Sequence, residues 1–272
     1  MKPVKKIANF IRAAYKHFMA SDGLIRAAEL AFTSLLSVVP LMILSVGIFS
    51  AFPGFKPYAR IFHNFIFQHL VPASARAIQD YIELFAKHAG KLSVAGLLMA
   101  FITAILLIFS IESAFNKIWK VQRSRPGLSA FLKYWAILTL LPPLAAAAFA
   151  LSMSFFTLPI ISNIINSLQN FTPILYLTPV IIIFLILLFL YKTLPNCEVR
   201  FRDAAFGAII VAPLFEIVKL SFGIYINYVS SYMLIYKAAA VFPIFLIWLF
   251  VLWIVVLIGA VFAYMLSKNP SF

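Results

Sequence analysis

The sequence predicts an all-α polytopic membrane protein with six transmembrane helices, and three observations predict it. The first is composition: of 272 residues, 64% are hydrophobic and only 11% are charged, with a mean hydropathy of +1.03. Soluble domains run near half apolar and a quarter charged, so this chain could not cover its apolar surface in water. Its 29 Phe, 11 Tyr and 4 Trp also exclude disorder. The second is length: six apolar stretches each approach the roughly 20 residues that cross a bilayer core as helix. The third is charge placement, because Lys and Arg crowd into alternate loops.

The elements follow in order. Residues 1–20 carry Ile7, Phe10, Ile11, Ala14 and Phe18 at helical spacing, with Lys5, Lys6, Arg12 and Lys16 mostly elsewhere on the wheel. This is the pattern of an amphipathic helix lying on the cytoplasmic leaflet; a partner-binding helix is the other reading. Ser21-Asp22-Gly23 breaks it, and a new helix starts. The six spans fall at about 30–52, 92–115, 134–157, 173–191, 204–226 and 243–266. In lipid the backbone must satisfy its own hydrogen bonds, so these are helices, and no β-barrel alternation is present. The first span is of full length and follows a basic segment, so it reads as a membrane span and not a cleavable signal.

The outer loop 53–91 opens with Phe52-Pro53-Gly54 and holds two further helical patterns, near 57–70 and 73–88. No linker interrupts the rest, so residues 1–272 read as a single six-helix membrane domain. Fifteen Lys and Arg lie on the side of both termini against six on the other, which places both termini in the cytoplasm. The net charge of +14 is explained by those loops and an anionic leaflet, without nucleic acid.

Charged groups inside a span are costly and therefore candidates for function. Glu216 and Lys219 fall near the middle of the fifth span, three apart on one helical face, just after Pro213. A broken or kinked helix beside an ion pair suits a polar cavity of a transporter; a buried pair that only fixes helix packing is the plainer alternative. A second cluster lies at the cytoplasmic end of the first two spans. Arg26, Glu29, Thr33 and Ser37 form one polar stripe, with Pro40 a turn later. Glu112 and Asn116 end the second span on the same side. Two carboxylates on neighbouring helices could bind a cation, exchange a proton or hold an arginine; snorkelling toward the interface is the alternative. Prolines at Pro40, Pro142-Pro143, Pro179, Pro213 and Pro243 imply an irregular interior. Trp119, Trp135, Trp248 and Trp253 suit interfacial anchoring or packing. His17, His63, His69 and His88 are scattered, Asp80 and Glu83 share the outer loop, and no metal, phosphate-loop or nucleophile motif is present. No cofactor is expected. Cys197, the one cysteine, allows no internal disulfide.

From Tyr191 onward a specific pattern runs. Tyr191-Lys192-Thr193-Leu194-Pro195-Asn196 precedes Val199-Arg200-Phe201-Arg202-Asp203-Ala204 and Gly207-Ala208. Glu216-Ile217-Val218-Lys219, Tyr232 to Tyr236, Pro243 to Leu246 and Gly259-Ala260 follow, and Arg26 to Phe32 and Ser37 to Leu41 fit near the start. Over essentially its whole length the chain resembles the YihY/virulence factor BrkB family of bacterial inner-membrane proteins. The loop residues Leu194, Pro195, Asn196, Arg200, Arg202 and Asp203 carry the most specific part of the likeness. The resemblance implies six helices and a bacterial inner-membrane location, with labels that include ribonuclease BN, serum resistance and lipid or ion transport. The residues speak against the nuclease, which would need a metal held by clustered His and carboxylates. Two classes remain. One is a transporter or lipid-handling, flippase-like carrier using Glu216 and Lys219 at midplane with Glu29 and Glu112 toward the cytoplasm. The other is a non-transporting scaffold that binds anionic lipid or a partner. Membrane lipid, above all anionic phospholipid, is the expected partner in either, and nucleic acid is not.

Overall fold

A computed structural model describes residues 2–51, 94–121, 172–236 and 238–268. Every structural statement below concerns these residues. The expected third span (134–157), the outer loop with its histidines, Pro142-Pro143 and Trp135 lie outside them.

All the described elements are α-helices: α1 (Lys2–Ala20), α2 (Gly23–Ala51), α3 (Val94–Ile118), α4 (Thr172–Thr193), α5 (Phe201–Tyr236) and α6 (Ala238–Lys268). Three stretches have the length and apolarity to cross a membrane: Leu98–Ile118, Phe201–Tyr225 and Phe242–Lys268. Val180–Thr193 is a shorter apolar helix. The outward faces agree with lipid contact. Ile181, Leu185 and Phe189 on α4, and Ile209, Ile217, Leu220 and Ile224 on α5, are exposed large apolar side chains. Water would penalise such stripes, and hydrocarbon does not. The chain is a membrane protein.

The chain divides into two compact units. One comprises Met1–Leu35, Leu106–Pro126 and Val180–Phe272; the other comprises Leu36–Ile105 and Gly127–Pro179. In the second unit, Ser37 is fully buried, and the Thr103 hydroxyl donates to the Met99 carbonyl at 2.8 Å. The first unit holds most of the described residues and all of the site considered below.

Its core is the seam between α5 and α6. Ala204, Ala208, Val211 and Ala212 are buried on one side, and Val256, Ala260 and Ala263 on the other. Gly207 and Gly259 set how close the two helices come. A Cβ on Gly207 would press on the Gly259 carbonyl and lie 3.1 Å from Ala263 Cβ. A Cβ on Gly259 would strike the Tyr191 hydroxyl and come within 2.7 Å of Val211 Cγ2. Small residues let backbones approach in this way in membranes, where dispersion replaces the hydrophobic effect as the driving force. Tyr191 then uses the space, donating to the Val256 carbonyl at 2.9 Å from a buried position. Trp248 packs on Phe215 and Phe222, with centroids 6.2 and 5.1 Å apart. Trp253 donates to Ser34 Oγ at 3.0 Å and ties α2 to α6. The three described tryptophans are thus buried packing residues, not interfacial anchors.

α5 runs unbroken from Phe201 to Tyr236 through Pro213. Of the broken or kinked helix expected beside Glu216, the break is therefore absent. Proline removes one backbone bond, a loss that a membrane helix tolerates when its neighbours and local adjustment compensate. α2 and α6 likewise continue through Pro40 and Pro243.

α1 divides its apolar face. Ala14 and Phe18 are buried, and the Phe10 ring lies tilted against Phe262 at 5.6 Å and edge-on to Phe206 at 6.4 Å. Ile11 and Tyr15, on the edge of the same face, stay 57% and 61% exposed. The helix therefore docks on α6 and α5 with only part of the face that the sequence marks as lipid-facing. It ends where Asp22 takes a left-handed φ of 58°. Gly23 follows with the Phe18 ring against it, 2.5 Å (Cζ) from where a Cβ would stand, so only glycine leaves room for that ring. The Asp22 carbonyl then accepts the Arg26 N–H at 2.9 Å and opens α2.

Candidate functional site at the end of α3

The last turns of α3 present Phe109, Glu112, Ser113, Asn116 and Lys117 at steps of three and four, so they share a face. That face meets Arg26 of α2 across a groove of about 240 Å³. The groove is half polar because both helices turn their charged stretches toward it. α3 stops just beyond, in a Schellman motif: Val121 N–H reaches the Asn116 carbonyl at 2.9 Å and Lys120 N–H the Lys117 carbonyl at 3.2 Å. Lys120 takes the left-handed φ of 55° that this cap requires.

The charges there differ in how firmly they are held. Glu112 is 4% exposed, a buried carboxylate at the groove. Arg26 Nη1 donates to Glu29 Oε2 at 2.8 Å with both side chains partly exposed. Lys117 Nζ lies 3.5 Å from Asp22 Oδ2, each side chain about half exposed. Exposed pairs of this kind are worth about 0–1 kcal/mol. An incoming anion could take over Arg26 or Lys117 at little cost, while Glu112 stays fixed.

The loop 194–200 is tied to the site through Asn116. Leu194 and Pro195 are buried. Asn196 N–H donates to Asn116 Oδ1 at 2.7 Å, a short bond that joins the loop to the groove wall. Lys192 Nζ reaches the Val199 carbonyl at 3.3 Å. Arg200 and Arg202 are exposed, and the Arg200 carbonyl caps α5 by accepting from Asp203 and Ala204 N–H at 3.1 and 3.2 Å. Asp203 sits in the first turn of α5 at 1% exposure, and neither of its oxygens has a hydrogen-bond partner. The positive end of the α5 dipole favours its charge there. Burial pushes the Cys197 thiol up, and Lys268 opposes that shift.

The structure brings Arg26, Glu112 and Asn116 together, with Glu29 behind Arg26 and Asn196 behind Asn116. It leaves the other candidates out of the groove lining. Thr33 donates back to the Glu29 carbonyl at 2.8 Å, a local bond along α2. Ser37 is buried in the other unit. Glu216 and Lys219 form the expected pair at 2.6 Å on α5, with side chains 17% and 13% exposed. Glu216 Oε1 is buried without a hydrogen-bond partner. Among the described residues, no three His, Cys, Asp or Glu gather to hold a metal ion.

Sequence reasoning missed three contributors. Lys117 counted only as a loop charge, although its place four residues after Ser113 puts it on the groove face. Ser34, the partner of Trp253, lies off the polar stripe and gave no signal. His17 joins α1 to α3 through the Ile118 carbonyl at 2.9 Å and stacks on Tyr264 at 4.5 Å. Its pKa is lowered by burial, opposed by that carbonyl bond and reinforced by Lys120.

Residues 14–271 match the family described as virulence factor BrkB. Among curated proteins, a UPF0761 membrane protein of Legionella pneumophila is 42% identical over 96% of this chain and 62% of its own length. One from Chromohalobacter salexigens is 37% identical over 97% of the chain and 64% of its own length. One from Xanthomonas campestris is 36% identical over 96% and 61%. The chain thus spans less than two thirds of the length of these relatives. No solved structure matches it.

Proposed function

This chain belongs to the virulence factor BrkB family of membrane proteins, and we propose that it is a lipid-handling, flippase-like carrier. Its headgroup site is the groove at the end of α3. The observation that carries this is one buried carboxylate, Glu112, facing two loosely paired cations, Arg26 and Lys117, in a 240 Å³ groove on an apolar helix. A phosphate would displace Glu29 or Asp22 from a weak exposed pair, and arginine offers it a bidentate partner. The ligand is a phospholipid of the cytoplasmic leaflet, anionic by preference, and nucleic acid is no partner.

The wider frame is a bacterial inner-membrane protein of six spans with both termini cytoplasmic, supported by the distribution of Lys and Arg. A reporter fused after Arg125 that reads the outer side would overturn that frame. The chain is not an enzyme in this reading: its scattered His and carboxylates suit no hydrolytic metal site.

The test is transbilayer movement of a fluorescent phosphatidylglycerol in proteoliposomes, read by its exposure to a membrane-impermeant quencher. The wild-type chain should expose the inner-leaflet pool faster than protein-free vesicles. Hydrogen bonds to charged groups are worth about 1.5–3 kcal/mol, so Arg26→Gln should slow the movement roughly tenfold or more. A wild-type rate equal to that of empty vesicles would sink the carrier and leave the non-transporting scaffold.

A further inference from the structure

A second groove lies between α1 and α6, away from the end of α3. Its walls are Ile11, Ala14, Tyr15 and Phe18 on α1 and Ile258, Val261 and Phe262 on α6. It encloses about 240 Å³ and its lining is almost wholly apolar. Two features say what fits. Ile258 lies ten residues before Lys268 at the end of α6, roughly 15 Å along the helix at 1.5 Å per residue. With Lys268 taken as the headgroup level, the groove reaches into the acyl-chain region. The second feature is charge. α1 has Lys2, Lys5, Lys6, Arg12 and Lys16 and no acidic residue. Arg12 and Lys16 each follow a groove residue, Ile11 and Tyr15, and both are exposed. Their stems can snorkel to a phosphate above the groove.

We propose that this groove holds one acyl chain of an anionic glycerophospholipid, with Arg12 and Lys16 on its phosphate. The lipid completes the half of the α1 apolar face that α6 leaves open. It would also explain why Ile11 and Tyr15 stay exposed beside a docked Phe10 and Phe18. The site is independent of the α3 groove: here a lipid is retained, and there one is moved.

The test is native mass spectrometry of the full chain, stripped of lipid in mild detergent and then offered phosphatidylglycerol or phosphatidylcholine. Wild type should retain one phosphatidylglycerol per chain. A cation near an anionic surface contributes roughly a fivefold effect, so preference over phosphatidylcholine should be at least tenfold. Ile11→Trp should fill the groove and abolish retention of both lipids. Ile258→Trp, from the opposite wall, should do the same and guards against a misfolded first variant. Arg12→Gln with Lys16→Gln should keep retention but erase the preference. Equal retention of the two lipids by wild type would overturn the proposal, as would unchanged retention in both tryptophan variants. Wild-type retention without any transbilayer movement would support this site and sink only the carrier reading.

Discussion

Two ion-pair regions of the same unit behave as opposites. On α5, Glu216 and Lys219 meet at 2.6 Å with little exposure, inside a stretch apolar enough to span a membrane. At the α3 groove, Arg26–Glu29 and Lys117–Asp22 are partly exposed, and the second is stretched to 3.5 Å. Coulomb attraction grows as the dielectric falls, but so does the penalty for any charge left alone. The α5 pair is therefore locked, and the groove pairs are exchangeable. A ligand site needs charges that can change partners, which favours the groove over the α5 pair as the proposed headgroup site.

The largest effect should come from breaking that lock. Glu216→Gln or Lys219→Met removes one partner of this largely enclosed pair and should cost about 3–5 kcal/mol, seen as a lower thermal midpoint in detergent. The unmet Glu216 Oε1 makes the Lys219 change the harsher of the two. The double variant should regain most of the stability. Lipid movement measured in that double then decides its role: continued loss would assign the pair to function, and recovery would leave it to packing.

A smaller effect tests the packing around it. Gly259→Ala would press on Tyr191 and Val211 and should cost about 1–3 kcal/mol, the usual range for overpacking. Tyr191→Phe alone loses the bond to Val256 and should cost about 1 kcal/mol. Combined, the two should cost less than their sum, because the hydroxyl is the first atom the new methyl meets. Strict additivity in thermal denaturation would show that the close approach is not what Gly259 provides.

The smallest effect on stability belongs to the groove. Arg26→Gln and Glu29→Gln should each shift stability by less than about 1 kcal/mol. Yet Arg26→Gln should slow lipid movement clearly, while Glu29→Gln, which frees Arg26, should not. Equal impairment by both, or a stability loss like that of the α5 pair, would erase the contrast between the two regions.

The sequence by itself determined whatever follows from a single helix in lipid. Composition and span length made the chain a helical membrane protein. The 3.6-residue period foretold Glu216 with Lys219 and placed Arg26 and Glu29 on one stripe, since residues three apart meet on any helix. The break at Ser21-Asp22-Gly23 was legible for the same local reason. What the tertiary structure decided lies across helices. Asn116 meets Asn196 over 80 residues, His17 reaches Ile118 over 101, and Trp253 finds Ser34 over 219. Such meetings depend on how far each helix is rotated and how closely it packs. Gly207 and Gly259 set that at the α5–α6 seam through atoms they lack, and an absent side chain names no partner. An amphipathic face likewise tells that α1 will be covered, and only packing decides that α6 covers half of it.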